Sequence, residues 1–399
     1  MRDTSNRKSI LIILIVALLI TSSTLIISFF ARGYQFSLKE GFSFKATGIL
    51  SAISKPKGAS VYINDKLITA TDDTINLTPN DYTVKITKDG YFPWQKTIKI
   101  KTETVYQTDT QLFRSTPDLK PITLTGAINP SFSPDGSKIV YSVASASATK
   151  DNGLFIIEFN NLPISLTRGT PRQLSRDLAN INWSKFKFTF SPNSRQILAT
   201  NKNINYLISL DTPITAKNLI DVTDSLKAIQ KDWETQTSQL IAGKLEKLPK
   251  EIQPLVSTTS AQDIQFAASE DKVLYLAQND GSLPNNIVTP FPAQSTQTQS
   301  RDIKKGNFYV YDIQDDTNFL IGNSSALQNP NWLPNSNNIV FIEDQKIKIV
   351  DYDNTNKQTL FAGNFNQECV YPWSDGSKII IFSSPYTSAA QNLYTISIK

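Results

Sequence analysis

The chain has 399 residues, 40 Lys and Arg against 35 Asp and Glu for a net charge of +5, one Cys, one Met and no His. The missing His removes His-based acid–base and nucleophile systems and His metal sites, while the single Cys369 removes disulfides, thiolate zinc sites and a lipid-bearing cysteine near the N-terminus. The length suggests two or three domains, and an apolar fraction of 40% with 19% charged residues leaves the polarity in Ser, Thr, Asn and Gln, a β-rich and turn-rich composition.

Residues 1–8 read as a cytoplasmic tail and residues 9–30 as a transmembrane helix. Ser9 to Phe30 is a 22-residue stretch without a charge, and about 20 helical residues span the hydrocarbon of a bilayer. A secretory signal has a shorter apolar region and a small-x-small cleavage site. The best cut here, after Ala31, places the bulky Phe29 at −3, so an uncleaved anchor is expected. Arg2, Arg7 and Lys8 precede the span, and Arg32 and then Lys39 with Glu40 follow it. The positive-inside rule puts the N-terminus in the cytoplasm and residues 32–399 outside. Phe29, Phe30, Tyr34 and Phe36 suit an interfacial aromatic belt, and residues 31–47 read as a juxtamembrane spacer.

From residue 48 to 113 the pattern is alternation and turns. Lys55-Pro56-Lys57-Gly58-Ala59 makes a turn before Ser60-Val61-Tyr62-Ile63, and Asn64-Asp65-Lys66 has hairpin composition. Leu77 to Asp81 turns into Tyr82-Thr83-Val84-Lys85-Ile86, which alternates with period 2, and Lys88-Asp89-Gly90 turns into Tyr91-Phe92-Pro93-Trp94 and a strand ending at Lys101. Six or seven short strands in this span predict a small β-sandwich. These residues resemble the PEGA domain. Its name motif Pro-Glu-Gly-Ala corresponds to Pro56-Lys57-Gly58-Ala59, with Lys in place of Glu, and its ending corresponds to Tyr82-Thr83-Val84-Lys85-Ile86 with Gly90-Tyr91. The resemblance implies a non-catalytic, extracytoplasmic module. Tyr91, Phe92 and Trp94 are its candidate ligand-binding residues, set against an ordinary core role for the same aromatics. Lys55, Lys57, Lys66, Lys85, Lys88, Lys96, Lys99 and Lys101 make the domain locally basic, which fits either anionic headgroups and wall polymers or plain solubility.

Residues 119–399 contain a repeat. Its units are Phe132-Ser133-Pro134-Asp135-Gly136-Ser137-Lys138-Ile139-Val140-Tyr141, the relatives beginning at Phe190, Phe266 and Trp332, and Trp373-Ser374-Asp375-Gly376-Ser377-Lys378-Ile379-Ile380-Ile381. The anchors lie 58, 76, 66 and 41 residues apart, and the shortest spacing equals one four-stranded propeller blade. Longer spacings need insertions. Residues 223–249 carry Leu226, Ile229, Trp233, Leu240, Ile241, Leu245 and Leu248 near helical spacing, and residues 281–300 read as a mobile Pro/Gln/Ser/Thr loop. The units resemble the TolB-like, WD40-like propeller repeat; five are visible, leaving room for either a sixth blade or a closing strand from Lys120 to Thr125 that pairs with the last blade, for five to six blades. The third unit has lost both Pro and Gly, so its turn geometry is in question.

The predicted fold class is mainly β: a transmembrane helix, a small β-sandwich and a β-propeller with a helical insertion. Among acids, Asp135, Asp271, Asp316 and Asp375 fall in turns, and Glu158, Glu343 and Asp351 at strand ends, none in a recognisable catalytic setting. The chain has no Gly-rich phosphate loop, and Asp72-Asp73 and Asp315-Asp316 lack a calcium-loop frame. No cofactor or metal is expected. The predicted role is extracytoplasmic binding or scaffolding without catalysis, toward an envelope protein or a cell-wall or surface glycan, with the bilayer held through residues 9–30 and no nucleic acid. The alternative is a carbohydrate-active propeller enzyme using Asp and Glu at the channel mouth.

Overall fold

The computed structural model describes residues 3–31, 35–37, 43–144, 151–159, 169–178, 180–212, 214–289, 295–384 and 390–399, with side chains for residues 11–29 and from residue 46 onward. Helix α1 spans Asp3–Ala31. Its segment Leu11–Phe29 has a mean hydropathy of 2.7, and none of its residues is buried. The hydroxyls of Thr21, Ser22, Ser23 and Thr24 donate to carbonyls three or four residues back. The polar middle of the helix is therefore satisfied internally, as a segment in hydrocarbon requires. The side chains of Arg2, Arg7, Lys8, Arg32, Phe30, Tyr34 and Phe36, expected at the two interfaces, lie outside the described residues. The spacer holds a short antiparallel pair, Gln35–Ser37 with Ser43–Lys45.

The chain divides into two compact units, Met1–Leu112 with Pro290–Gln297, and Phe113–Thr289 with Thr298–Lys399. The first contains the β-sandwich. One sheet runs Lys66–Ala70, Ser60–Ile63, Asn80–Thr87, Trp94–Ile100 in spatial order, all antiparallel; the other runs Val105–Gln107, Gly48–Ala52, Asp73–Leu77. Alternation sends Val61, Ile63, Val84, Ile86, Ile98 and Ile100 inward against Leu50 and Ala52, and all are buried. Asn64 and Asp65 both take positive φ (48° and 62°), the two-residue turn that matches strand twist. The Tyr82 hydroxyl donates to the Thr78 carbonyl at 3.0 Å and pins the corner before its strand. Val105–Gln107 pairs parallel to Gly48–Ala52, a direction that period-2 patterning does not encode.

The second unit is a β-propeller. Among the described residues it contains five four-stranded antiparallel sheets. The first four blades run from inner to outer strand in chain order, from Ile128–Phe132, Lys187–Phe190, Ala261–Phe266 and Gln328–Trp332. In the fifth, Val370–Pro372, Lys378–Ser383 and Asn392–Ser397 are completed by Leu119–Pro121, a strand that precedes the first blade in sequence. Leu119 faces Ile396 and Lys120 faces Thr395. This pairing covers the outer edge of the last blade.

Facing blades bury apolar layers. Ile139, Tyr141 and Ile157 of the first blade pack on Trp373, Ile380 and Leu393 of the fifth. Val140, Leu154 and Ile156, on the other face of the first blade, pack on Phe188, Ile197 and Ile208 of the second, and Leu274, Val310 and Phe319 of the third on Trp332, Ile339 and Phe341 of the fourth. Three anchors sit at blade junctions, where Phe132 stacks on Tyr371 at 3.6 Å, Trp373 lies 4.4 Å from Phe159 and the Trp332 indole donates to the Gln265 carbonyl, while Phe266 packs against the layer that Leu245, Leu248 and Ile252 cover.

The turn after each anchor is one motif. Asp135, Asn193, Asn335 and Asp375 each accept from a backbone N–H two residues on. Gly136, Ser194, Glu270, Ser336 and Gly376 all take φ between 57° and 66°. The third unit keeps this geometry without Pro or Gly, with Glu270 in the left-handed position. Its carboxylate is gripped by Lys247 at 2.9 Å and Lys244 at 3.0 Å, which hold it down at about 2.

Those two lysines come from the insertion, where helix α2 spans Leu226–Leu245. Leu245, Leu248, Ile252 and Val256 cover the face of the third blade formed by Val273, Tyr275 and Tyr309. The expected helical stripe serves this packing only at its C-terminal end, and Leu240 stays 60% exposed. Within the predicted mobile loop, Gly281–Ser282 pairs with Asp302–Ile303 and the Thr296 hydroxyl donates to the Thr97 carbonyl, while residues 290–294 lie outside the described residues.

Closure makes a prediction. The buried Thr123 hydroxyl accepts from the Leu393 N–H and donates to the Asn392 side chain, both at 2.9 Å. Thr123→Val leaves that buried N–H unpaired and is expected to destabilise the protein by about 1–3 kcal/mol in guanidinium unfolding, with Thr123→Ser near the parent.

Candidate functional site

The inner strands share one irregularity. In the first, third and fourth blades the register slips between the first and second strands, next to Asn129, Asp263 and Asn329. These three take φ of 50°, 48° and 49°, a left-handed turn that Asn and Asp tolerate better than other side-chain-bearing residues. Asn129 Nδ2 donates to the Phe186 carbonyl at 2.8 Å, and Asn329 Nδ2 to the Gln367 carbonyl, each clamping one blade to the next. Asp263 breaks the pattern. A carboxylate has no proton to give to a carbonyl, and Gln265 makes the clamp instead, donating to the Pro330 carbonyl at 2.8 Å.

Around these bulges lies a cavity of about 820 Å³ formed by the third, fourth and fifth blades, lined by Asp263, Gln265, Gln328, Asn329, Asn331, Asn366, Gln367, Glu368, Val370 and Tyr371 among others. A second, of about 380 Å³, lies against the first, second and fifth blades, with Asn129, Lys187, Cys369 and Gln391 in its wall. Asn366 and Glu368 line both. The carboxylates of Asp263 and Glu368 make no hydrogen bond or ion pair among the described residues. The wall is thus rich in carboxamides, which donate and accept, with two unpaired carboxylates and one lysine. Burial, helped by the Glu368 charge, pushes the Cys369 thiol up to about 12, so it offers no thiolate nucleophile near neutral pH. No group of three or more metal-ligating side chains occurs among the described residues.

Sequence reasoning singled out other residues. Trp94 is 6% exposed and belongs to the sandwich core, with Tyr91 packed against that core and Phe92 half-buried. As a core ring, Trp94 presents no face to a ligand, and none of the three lines the cavities above. The acids are structural: Glu158 pairs with Arg172, Glu343 with Lys348 and Lys357, Asp316 with Arg301, and Asp351 accepts from Asn338. Asp263 and Glu368 were missed. A signal for the first was present, because Asn129, Lys187, Asp263, Asn329 and Val370 each stand three residues before a blade anchor, and all five line the cavities.

A separate charged cluster lies in the third blade. Lys272, with an 8% exposed side chain, sits 2.8 Å from Asp271, 3.7 Å from Asp312 and 4.7 Å from the ring of Tyr352. Burial, and then the Asp312 charge, pushes the neighbouring Asp315 up to about 6. It lines neither channel cavity.

The fold therefore defines a class: a β-propeller accompanied by a small β-sandwich, behind an apolar N-terminal helix long enough to cross a membrane. Residues 47–116 match the PEGA domain family. No curated protein matches the chain. Similar solved structures include an oligogalacturonate lyase in complex with manganese, at 13% identity over 70% of this chain and 67% of the lyase, with a TM-score of 0.24. An acylaminoacyl peptidase from Pyrococcus horikoshii matches at 12% identity over 70% of this chain and 39% of the peptidase, with a TM-score of 0.21. TolB from Acinetobacter baumannii matches at 12% identity over 79% and 60%, with a TM-score of 0.20. Scores of this size carry no argument about function, and the chain spans well under two thirds of the peptidase.

Two predictions follow from the geometry. Asn129→Ala loses both the clamp and a side chain suited to positive φ, whereas Asn129→Gly loses only the clamp; Ala is expected to lower the melting temperature further than Gly. Asp315 binds its proton more tightly in the folded chain, so its favourable contribution is full below the unfolded carboxyl range near 4 and is lost as pH rises through about 6. Asp315→Asn is expected to raise the melting temperature relative to the parent at pH 7.5 and to shrink that gain at pH 4.5.

Proposed function

We propose that this chain is a membrane-anchored, extracytoplasmic binding or scaffolding protein without catalytic activity, whose propeller channel engages a polar surface of another envelope component. In this reading the apolar helix is retained as an uncleaved anchor with its N-terminus in the cytoplasm, and both compact units face outward. The bulky Phe29 at −3 of the best cleavage position and the Arg2, Arg7 and Lys8 bias support that arrangement. The observation that carries the binding role is the cavity of about 820 Å³ with its carboxamide wall and the unpaired carboxylates of Asp263 and Glu368. Mixed donors and acceptors on a rigid rim suit a protein surface with basic and polar groups.

The full chain in nanodiscs, mixed with envelope fragments of its own host, tests this. Pelleting with the fragments that disappears after protease treatment of the fragments, and that falls sharply in the double variant Asp263→Lys with Glu368→Lys, is the expected result. Pelleting that survives protease replaces the protein partner with a wall glycan or lipid, and no pelleting contradicts the binding role. The carbohydrate-active alternative rests on one observation, that Asp263 and Glu368 line the same cavity. It requires release of reducing ends from wall glycan that Glu368→Gln abolishes, and the reading proposed here expects none.

A further inference from the structure

Apart from the channel, a cleft of about 540 Å³ lies between helix α2 and the turns of the first two blades. One stripe of the helix forms its wall: Gln230, Trp233, Glu234 and Ser238, spaced to share a face. Opposite stand Phe190 and Pro192 of the second blade. The helix docks on the third blade through its last turn and the segment that follows, around Leu245 and Leu248, so this packing does not use Trp233. Trp94, Trp183, Trp332 and Trp373 are all buried, at 9% exposure or less, while Trp233 is half-exposed. Its indole N–H and the side chains of Gln230, Glu234 and Ser238 make no hydrogen bond among the described residues.

We propose that this cleft is a saccharide subsite, with Trp233 as the platform for the apolar face of a β-linked pyranose and Gln230, Glu234 and Ser238 as partners for its hydroxyls. An apolar peptide anchor needs one apolar slot and leaves the surrounding polar groups unpaired. A pyranose presents a C–H face and a rim of hydroxyls together, and the helix side of the cleft offers an aromatic side chain flanked by polar ones, with Pro134, Phe190, Pro192 and Leu198 across from it. The Glu234 carboxylate accepts from two vicinal hydroxyls, the geometry that a neutral equatorial sugar supplies. The subsite does not depend on the channel being a binding site.

The test is calorimetric titration of the full chain in detergent micelles with chitotetraose and with cellotetraose, alongside Trp emission. Expected are a saturable heat and a change in Trp emission with at least one of the two sugars. The heat is lost in Trp233→Ala, and the affinity falls at least tenfold in Glu234→Ala. Glu234 is exposed on the helix surface, so that variant reports on the cleft even if Trp233→Ala alters the fold. No heat with either sugar overturns the proposal, as does binding retained in both cleft variants. Binding lost in Glu368→Ala but kept in Trp233→Ala moves the sugar to the channel and overturns it as well. A proline-rich peptide that binds where neither sugar does assigns the cleft to a protein partner instead.

Discussion

The pairing of Leu119–Pro121 with Asn392–Ser397 is the constraint on which the propeller depends. The first blade packs on the second and the third on the fourth through local contacts, the insertion covers the third blade's other face, and the junction of the first blade with the fifth must bring the two ends of the propeller together. The strand that precedes the first blade does this by completing the last. Thr123 then seals the join, bonding at once to Asn392 and Leu393. With the edge covered and the junctions closed, the inner strands form a rim of fixed spacing, and the channel walls inherit that rigidity.

On this frame, each inner-strand bulge has one of two outcomes. Where the left-handed residue is Asn, its amide reaches the next blade and becomes part of the clamp. Where it is Asp, as at position 263, the clamp moves to Gln265 and the carboxylate is left facing the cavity. A change from amide to acid at one repeat position thus converts a structural group into an available one. Glu368 is free in the same way, because the loop before Val370 is anchored by its backbone and by Asn366.

Much of this was legible from the residues. The alternation of Ser60 to Ile63 and Tyr82 to Ile86 and the hairpin at Asn64-Asp65 mark the sandwich, and the five aromatic anchors mark the blades. The third blade was the doubtful one, since Ala267 to Asp271 has neither Pro nor Gly. Its turn is nonetheless the same, with Glu270 in the left-handed position and Lys244 and Lys247 holding its side chain. Those lysines lie more than twenty residues upstream, in an insertion whose docking no local pattern reveals. Site residues were harder to see. The acids that stood out did so because they sit in turns and at strand ends, where Asp and Glu serve as caps and ion-pair partners. The channel residues stand instead three places before each anchor, a register that has meaning only once the blades are set around a ring.

Hydrogen–deuterium exchange of the intact chain, followed by mass spectrometry, tests closure most directly. The account predicts that the amide of Ile122, which donates to the Leu393 carbonyl, is protected to the same degree as those of residues 392–397 and opens together with them under rising denaturant. Exchange of the Ile122 amide at the rate of an unpaired loop, while residues 392–397 stay protected, would contradict a ring closed by that strand.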